Sequence, residues 1–263
     1  MRFSTSGWIM AGLSLRQLRR PAAPRGAGVG YDPTMTFDQV MAELEARGTA
    51  QNRKIYRRHG AGDELFGVSF ADLRKLAGKI KRDQQLAEAL WASGNADARC
   101  LATMIADPTA FGSRQLDAWA RDLDYYVVAD LFSALVAKTR FARRKAERWT
   151  ASRREYVAQA GWNLVAHLAM GDEPDDGFFR RQLERIEAGI DGAKNRVKHA
   201  MNGALIAIGG SRAALEGEAI AAARRIGKVE VDHGETGCKT PAAIPYIRKM
   251  AARRELKARR ARG

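Results

Sequence analysis

Short apolar stripes at helical spacing alternate with polar start and stop signals along the whole chain. Thr36 and Gln39 form a capping-box pattern before an apolar stripe that ends at Gly48. Later stripes also follow a Ser, Asp or Asn and end at Gly or Pro, as amphipathic helices do. Further helix starts are predicted at Ser69, Asp83, Asn95, Ser113, Asp124, Ser152 and Pro241 or Pro245, with additional stripes at 178–186, 197–208 and 215–226.

The predicted fold class is all-α. Two short runs, 66–68 and 229–231, resemble strands, but neither has a partner across a hairpin turn. Small residues followed by Leu or Ile recur at 98–102, 160–164 and 200–205, near the 40-residue period of HEAT-type helical pairs. We therefore expect a HEAT-like α-solenoid of five or six pairs with a concave basic face, and a compact helical bundle is the alternative.

Composition divides the chain into three predicted parts. Residues 1–34 are rich in Gly, Ala, Pro and Arg without a sustained apolar stripe, which predicts a disordered or poorly ordered basic extension. A transit peptide or an over-long gene start would have the same composition. Residues 35–247 are the predicted helical DNA-binding domain, and residues 248–263 are a predicted basic C-terminal tail.

The net charge of +15 is concentrated in the two ends of the chain. Residues 1–34 hold five basic residues and one acidic residue, and residues 248–263 hold eight basic residues and one acidic residue. Such ends suit a polyanion such as nucleic acid or serve as solubilising tails. Two cysteines and the lack of a long uncharged apolar run argue against a disulfide scaffold and a membrane span. A cytoplasmic, nucleoid-associated location is expected.

Basic clusters inside the body are candidate DNA contacts if the fold places them along one groove. We assign two clusters to DNA binding. The first is Arg143, Arg144 and Lys145, and the second is Lys194, Arg196 and Lys198. A third cluster lies at 53–58, where four of the six residues are basic.

Asp130 is the candidate catalytic residue. It lies inside an apolar helix, where a carboxylate requires water, a cation or a hydrogen-bond donor. Tyr126 is one turn earlier and Tyr125 is adjacent, so a ring and a carboxylate share a face. This pair suits hydrolysis that releases a cationic base, because the carboxylate stabilises the sugar cation and the ring attracts the base. A polar helix face or a buried ion pair explains the same residues.

Other chemistries have weaker sequence support. The four histidines and two cysteines contain no His-x-x-x-His or Cys-x-x-Cys spacing, so we expect no metal site. A Cys–His nucleophile pair stays open, although nothing in the sequence selects one. The polar stretch 229–240 either presents acids, His and Lys to a ligand or simply connects two helices.

The sequence resembles the DNA alkylation repair family of HEAT-repeat DNA glycosylases, the AlkD-like proteins. Four segments carry the resemblance, which extends over most of residues 36–215. They are LFGVSFADLR at 65–74, LWASGNADAR at 90–99, LDYYVVAD at 123–130 and VKHAMNGAL at 197–205.

This resemblance implies an α-solenoid that cradles double-stranded DNA and hydrolyses the N-glycosidic bond of N3- or N7-alkylated purines without a metal or cofactor. The family's catalytic aspartate corresponds to Asp130, and the aromatic residue one turn earlier corresponds to Tyr126. The family's cleft arginine corresponds to Gln159, and a second cleft tryptophan corresponds to Gly203. Trp162 is expected to replace part of that aromatic surface.

Two other functions stay open at this point. One is a non-catalytic DNA-binding HEAT-repeat protein that recognises damaged or structured DNA. The other is a protein-interaction scaffold whose basic ends are incidental. A monomer is expected in each case.

Overall fold

The computed structural model describes residues 35–260, and the predicted extension 1–34 lies outside the described residues. The described residues form thirteen α-helices and no strands, which confirms the all-α class. The helices are α1 (Phe37–Arg47), α2 (Ala50–Arg58), α3 (Phe70–Ile80), α4 (Gln84–Ala92), α5 (Ala96–Ile105), α6 (Ser113–Arg121), α7 (Tyr126–Val136), α8 (Ala142–Trp149), α9 (Glu155–Met170), α10 (Asp176–Gly189), α11 (Asn195–Ser211), α12 (Glu216–Ile226) and α13 (Ala243–Arg260).

From α4 onward the helices form five consecutive pairs, as expected for a HEAT-like solenoid. The second helices of the pairs, α5, α7, α9, α11 and α13, pack against one another in chain order and form one layer. The N-terminal helices α1 and α3 pack against the first pair. The core is therefore continuous from one repeat to the next, and each repeat buries its apolar side against its neighbours.

Hydrogen bonds between side chain and backbone connect successive repeats. Gln159 donates to the backbone oxygen of Tyr126, 33 residues earlier, and Asn202 donates to the backbone oxygen of Pro241, 39 residues later. These separations are about one repeat long, so each repeat satisfies polar groups of the next. The period near 40 residues expected from the small-residue pattern is thus present in the packing.

Most of the predicted helix starts are correct. Thr36, Ser69, Asp83 and Asn95 each cap a helix through a side-chain oxygen that accepts a backbone N–H. The start at Asp124 is wrong, because α7 begins after Tyr125.

A second predicted start is also wrong, and two helices are missing from the sequence prediction. The start predicted at Ser152 is displaced, because α9 begins after Arg154, and the Glu155 carboxylate accepts the backbone N–H of Arg196. Helices α2 and α8 were not predicted, since their many basic residues obscure the apolar stripe.

Gly209 and Gly210 follow the stripe at 197–208 and resemble a helix stop in the sequence, but α11 continues through both residues. A Cβ atom at Gly210 would lie 2.4 Å from the Cβ of Met250, and one at Gly209 would lie 2.7 Å from the Cβ of Ala219. The two glycines therefore allow α12 and α13 to approach α11 closely. The expected boundary between residues 247 and 248 falls inside α13, where Ala251 is buried.

Candidate functional site

The carboxylate of Asp130 on α7 is held by two amides of α9. Gln159 Nε2 and Asn163 Nδ2 each donate to Asp130 Oδ1 at 2.7 Å. Burial raises the pKa of Asp130 to about 6, although both hydrogen bonds and the charge of Arg196 lower it. The group is therefore ionised in most molecules at neutral pH, and the residue keeps partial exposure to solvent.

Arg196 supplies the cation of this site. Its guanidinium lies over the ring of Tyr126, 4.0 Å from the ring centroid, and its charge favours the ionised form of Asp130. The sequence placed Arg196 in a surface basic cluster and assigned the family's arginine position to Gln159. The structure brings a cation to Asp130 from α11, two repeats further along the chain, whereas Gln159 of α9 in the intervening repeat supplies a neutral amide.

Tyr126 is enclosed on several sides. Only 5% of the residue is exposed, and its hydroxyl is 2.9 Å from His59 Nδ1. Tyr125 packs edge-on against it, with the ring centroids 5.2 Å apart. Burial and the charges of Arg196, Arg58 and His233 lower the pKa of His59, so the imidazole is neutral at pH 7. The contact between His59 and Tyr126 joins residues 67 positions apart, which no local pattern in the sequence could indicate.

Trp162 does not extend the aromatic surface of this site. The residue is 2% exposed, and the guanidinium of Arg185 on α10 lies 5.3 Å from its ring centroid. The expected use of Trp162 as a substrate-binding ring is therefore corrected, since its faces are occupied by protein. We define the Asp130 site as Tyr126, Asp130, Gln159, Asn163 and Arg196, with His59 at its edge.

The predicted DNA-binding cluster at residues 143–145 does not form one basic surface. Lys145 is 1% exposed, and its Nζ is 2.6 Å from Asp117 Oδ1 and donates to the backbone oxygen of Ser113 at 2.8 Å. Its assignment to DNA is wrong, because the ammonium is buried and paired. Arg144 is exposed. Arg143 pairs with Glu147, Glu173 and Asp175 and covers the ring of Phe178.

The second predicted DNA-binding cluster, at residues 194–198, is more accessible than the first. Lys194 is exposed at the start of α11, where its Nζ donates to the backbone oxygen of Arg153 at 2.9 Å. Lys198 is half-exposed one turn later, and Arg196 between them reaches the Asp130 site. The cluster therefore continues from the Asp130 site to the surface.

The polar stretch predicted as a loop is part of a connecting segment, residues 227–242, that lies along α11. Asn195 exchanges two hydrogen bonds with the backbone of Asp232. The ring of His233 packs edge-on against His199, with centroids 5.7 Å apart. A groove of about 1210 Å³ lies between this segment, α11 and α12. The connector interpretation fits these contacts, because the segment is anchored to the preceding repeat.

Within residues 35–260, no group of three His, Cys, Asp or Glu side chains could hold a metal ion. No helix in the same range is long and apolar enough to cross a membrane.

The helical repeats and the Asp130 site define a HEAT-like repeat protein related to DNA glycosylases. The family model described as DNA alkylation repair enzyme matches residues 40–247, and the chain belongs to this family. Two uncharacterized proteins, from Listeria innocua and Listeria monocytogenes, are each 30% identical over 225 residues, which cover 83% of this chain and 99% of theirs.

A solved structure with 32% sequence identity matches with a TM-score of 0.76 over 83% of this chain and 95% of that one. It is described as belonging to a new family of proteins related to the HEAT-like repeat DNA glycosylases, with affinity for branched DNA structures. The resemblance stated from the four sequence segments is thereby confirmed at the level of family and fold.

Proposed function

We propose that this protein binds branched DNA and that its Asp130 site does not excise bases. The observation that carries this proposal is that the Tyr126 ring is not accessible to a ligand. Tyr126 is 5% exposed, and the guanidinium carbon of Arg196 lies 4.0 Å from its ring centroid. A cationic alkylated base needs an open aromatic face to bind against. The position of the family's second cleft tryptophan is Gly203, so no second ring is available there.

Two further observations support DNA binding. The related solved structure has affinity for branched DNA. In this chain Lys194 and Lys198 lie within the first turn and a half of α11, with Arg196 between them. The two lysines suit a phosphate at the surface, whereas the backbone N–H of Arg196 is already bound by the Glu155 carboxylate.

The experiment compares a four-way DNA junction with a linear duplex of equal arm length, using fluorescence anisotropy at several salt concentrations. We expect tighter binding to the junction and a steep loss of affinity with salt. The pair Lys194→Gln and Lys198→Gln should reduce the salt slope by about 2, at about 0.9 for each lost phosphate contact. The control pair Lys79→Gln and Lys81→Gln removes the same charge from exposed positions near the end of α3. Equal affinity for junction and duplex would contradict the proposal.

Excision of N3- or N7-alkylated purines is the second candidate function. It is favoured by Asp130, which is partly exposed and carries a pKa of about 6, so an ionised carboxylate is present at neutral pH. Incubation with methylated duplex DNA and chromatography of released bases tests it. If the unmodified protein releases alkylated bases and Asp130→Asn releases them about 10² to 10³ times more slowly, excision is established and replaces our proposal. A protein that binds no DNA at all would instead favour the interaction-scaffold hypothesis.

A further inference from the structure

One face of the last helix carries a row of positive side chains. Lys249, Arg253, Lys257 and Arg260 follow at spacings of four, four and three residues and are all exposed. At this spacing they share one side of α13, with about 6 Å between successive members along the helix axis. Within residues 35–260 none of the four forms an ion pair, whereas Arg254 on the same helix pairs with Glu216 at 2.8 Å.

The opposite side of α13 fixes the orientation of this face. Ile247 and Ala251 are buried, and Met250 packs against the backbone at Gly210. Arg254 also donates to the backbone oxygen of Gly210 at 3.0 Å. The positive row is therefore presented outward by a helix that is anchored to α11 and α12.

Several other basic residues of the solenoid pair with acids. Arg180 pairs with Glu218 at 2.9 Å, and Arg143 and Lys145 pair with acids of neighbouring helices. Arg212 pairs with Asp176 of the same helical pair, and Arg225 pairs with Glu187 of the preceding pair. The row on α13 thus differs from these residues in having no acidic counterpart within the described protein.

The helix dipole accounts for only part of this row. Cations near a helix C-terminus are favourable, which covers Lys257 and Arg260. Lys249 and Arg253 lie in the middle of α13, where the dipole has little effect. Like charges four residues apart repel each other and weaken a helix. A polyanion along this side would remove that repulsion.

We propose that Lys249, Arg253, Lys257 and Arg260 form a second DNA contact, which binds the phosphate backbone of one duplex arm. This inference rests on the proposed binding of branched DNA, because the first contact is the surface at Lys194 and Lys198. Two separate phosphate contacts give a branched molecule an advantage, since two arms bind the same protein at high effective concentration.

The test variant combines Lys249→Gln, Arg253→Gln and Lys257→Gln. The matched control combines Lys79→Gln, Lys81→Gln and Arg114→Gln, which removes equal charge from exposed positions outside α13. Four-way junction affinity is measured against salt concentration for both variants and the unmodified protein. We expect the salt slope of the α13 variant to fall by about 2 to 3, at about 0.9 per phosphate contact, and the control to keep the original slope.

Two further measurements complete the test. The pair Lys249→Arg and Lys257→Arg keeps the charge and should keep junction affinity. Thermal unfolding of the triple variant should match or exceed that of the unmodified protein, since repulsion is removed. If the unmodified protein binds the junction but the α13 variant keeps the slope of the control, this inference is overturned. If the unmodified protein binds no junction, the proposed function fails as well.

Discussion

At the scale of single residues, Asp130 lowers the stability of the fold. Its folded-state pKa of about 6 exceeds the ordinary value of 3.8, so the folded chain binds a proton more readily than the unfolded chain between these values. Above pH 6 the ionised group costs about 3 kcal/mol of unfolding free energy, from about 1.4 kcal/mol per unit. The two amides of α9 hold the carboxylate in place despite this cost.

Asp130→Asn should therefore raise the melting temperature at pH 7.5 by several degrees, because an uncharged group loses less on burial. The difference should shrink as pH falls toward 4, where the original carboxyl is protonated. Thermal unfolding of both proteins across this pH range measures the effect. Asp63→Asn is the control, since the Asp63 carboxylate is exposed. A lower melting temperature for Asp130→Asn at pH 7.5 would mean that hydrogen bonding to the charge outweighs its burial.

At the scale of elements, one carboxylate organises the segment before α3. Asp97 on α5 accepts the backbone N–H groups of Phe66, Gly67 and Val68 at 2.7, 2.8 and 3.1 Å. In the sequence this short run resembles a strand without a partner. Its backbone donors bind a side chain instead of a neighbouring strand, so the segment joins a helical protein without a sheet.

Asp97→Ala should destabilise the protein by about 3 kcal/mol or more, because three backbone donors lose their partner and two of them are in buried residues. Urea unfolding measures the free-energy change. Asp38→Ala serves as the matched control, since Asp38 is exposed in the first turn of α1. An equal small effect for both variants would show that water replaces the carboxylate at residues 66–68.

Helix α8 carries an exposed cation, Arg144, directly before a buried one, Lys145. Lys145→Gln should cost about 1.5 to 3 kcal/mol of unfolding free energy, because the charged hydrogen bonds of the buried ammonium are lost while Arg148 and Trp149 still bind Asp117. Arg144→Gln, one position earlier and exposed, should change the free energy by less than about 0.5 kcal/mol. Urea unfolding separates the two variants. Junction affinity per folded molecule should stay unchanged in Lys145→Gln. A weaker dependence of junction affinity on salt would instead show that Lys145 contacts DNA.

At the scale of the whole molecule, partly buried histidines make the fold sensitive to acid. Burial lowers the pKa values of His167 and His199 to about 4. The unfolded chain therefore binds more protons than the folded chain between about pH 4 and 6.5. Each of these histidines should remove about 3 kcal/mol of unfolding free energy as pH falls through that range.

We expect the melting temperature to fall steeply between pH 6.5 and 4, since the loss from both histidines exceeds the gain from protonating Asp130. Scanning calorimetry at half-unit pH steps checks this. His167→Gln removes one titrating group and should make the curve nearly flat, because the loss from His199 is then about equal to the gain from Asp130. A melting temperature that is constant over this range would contradict the burial of both imidazoles in the folded state.

The sequence by itself determined the helical class, the repeat and many of the helix ends. Caps such as Ser69 and Asn95 act within a single turn, so their residue types state their role directly. The apolar stripes likewise depend only on spacing along one helix. Asp130 and Tyr126 were found together for the same reason, because they lie one turn apart on α7.

Only the tertiary structure decided what each charge and ring contacts. Lys145 and Lys249 look alike in the sequence, yet one is buried against Asp117 of another helix and the other is exposed. Arg196 reaches Tyr126 and Asp130 from α11, and His59 reaches Tyr126 across 67 residues. Such contacts cross from one repeat to another, and their energies depend on burial and distance, which the spacing of residues along a chain does not fix.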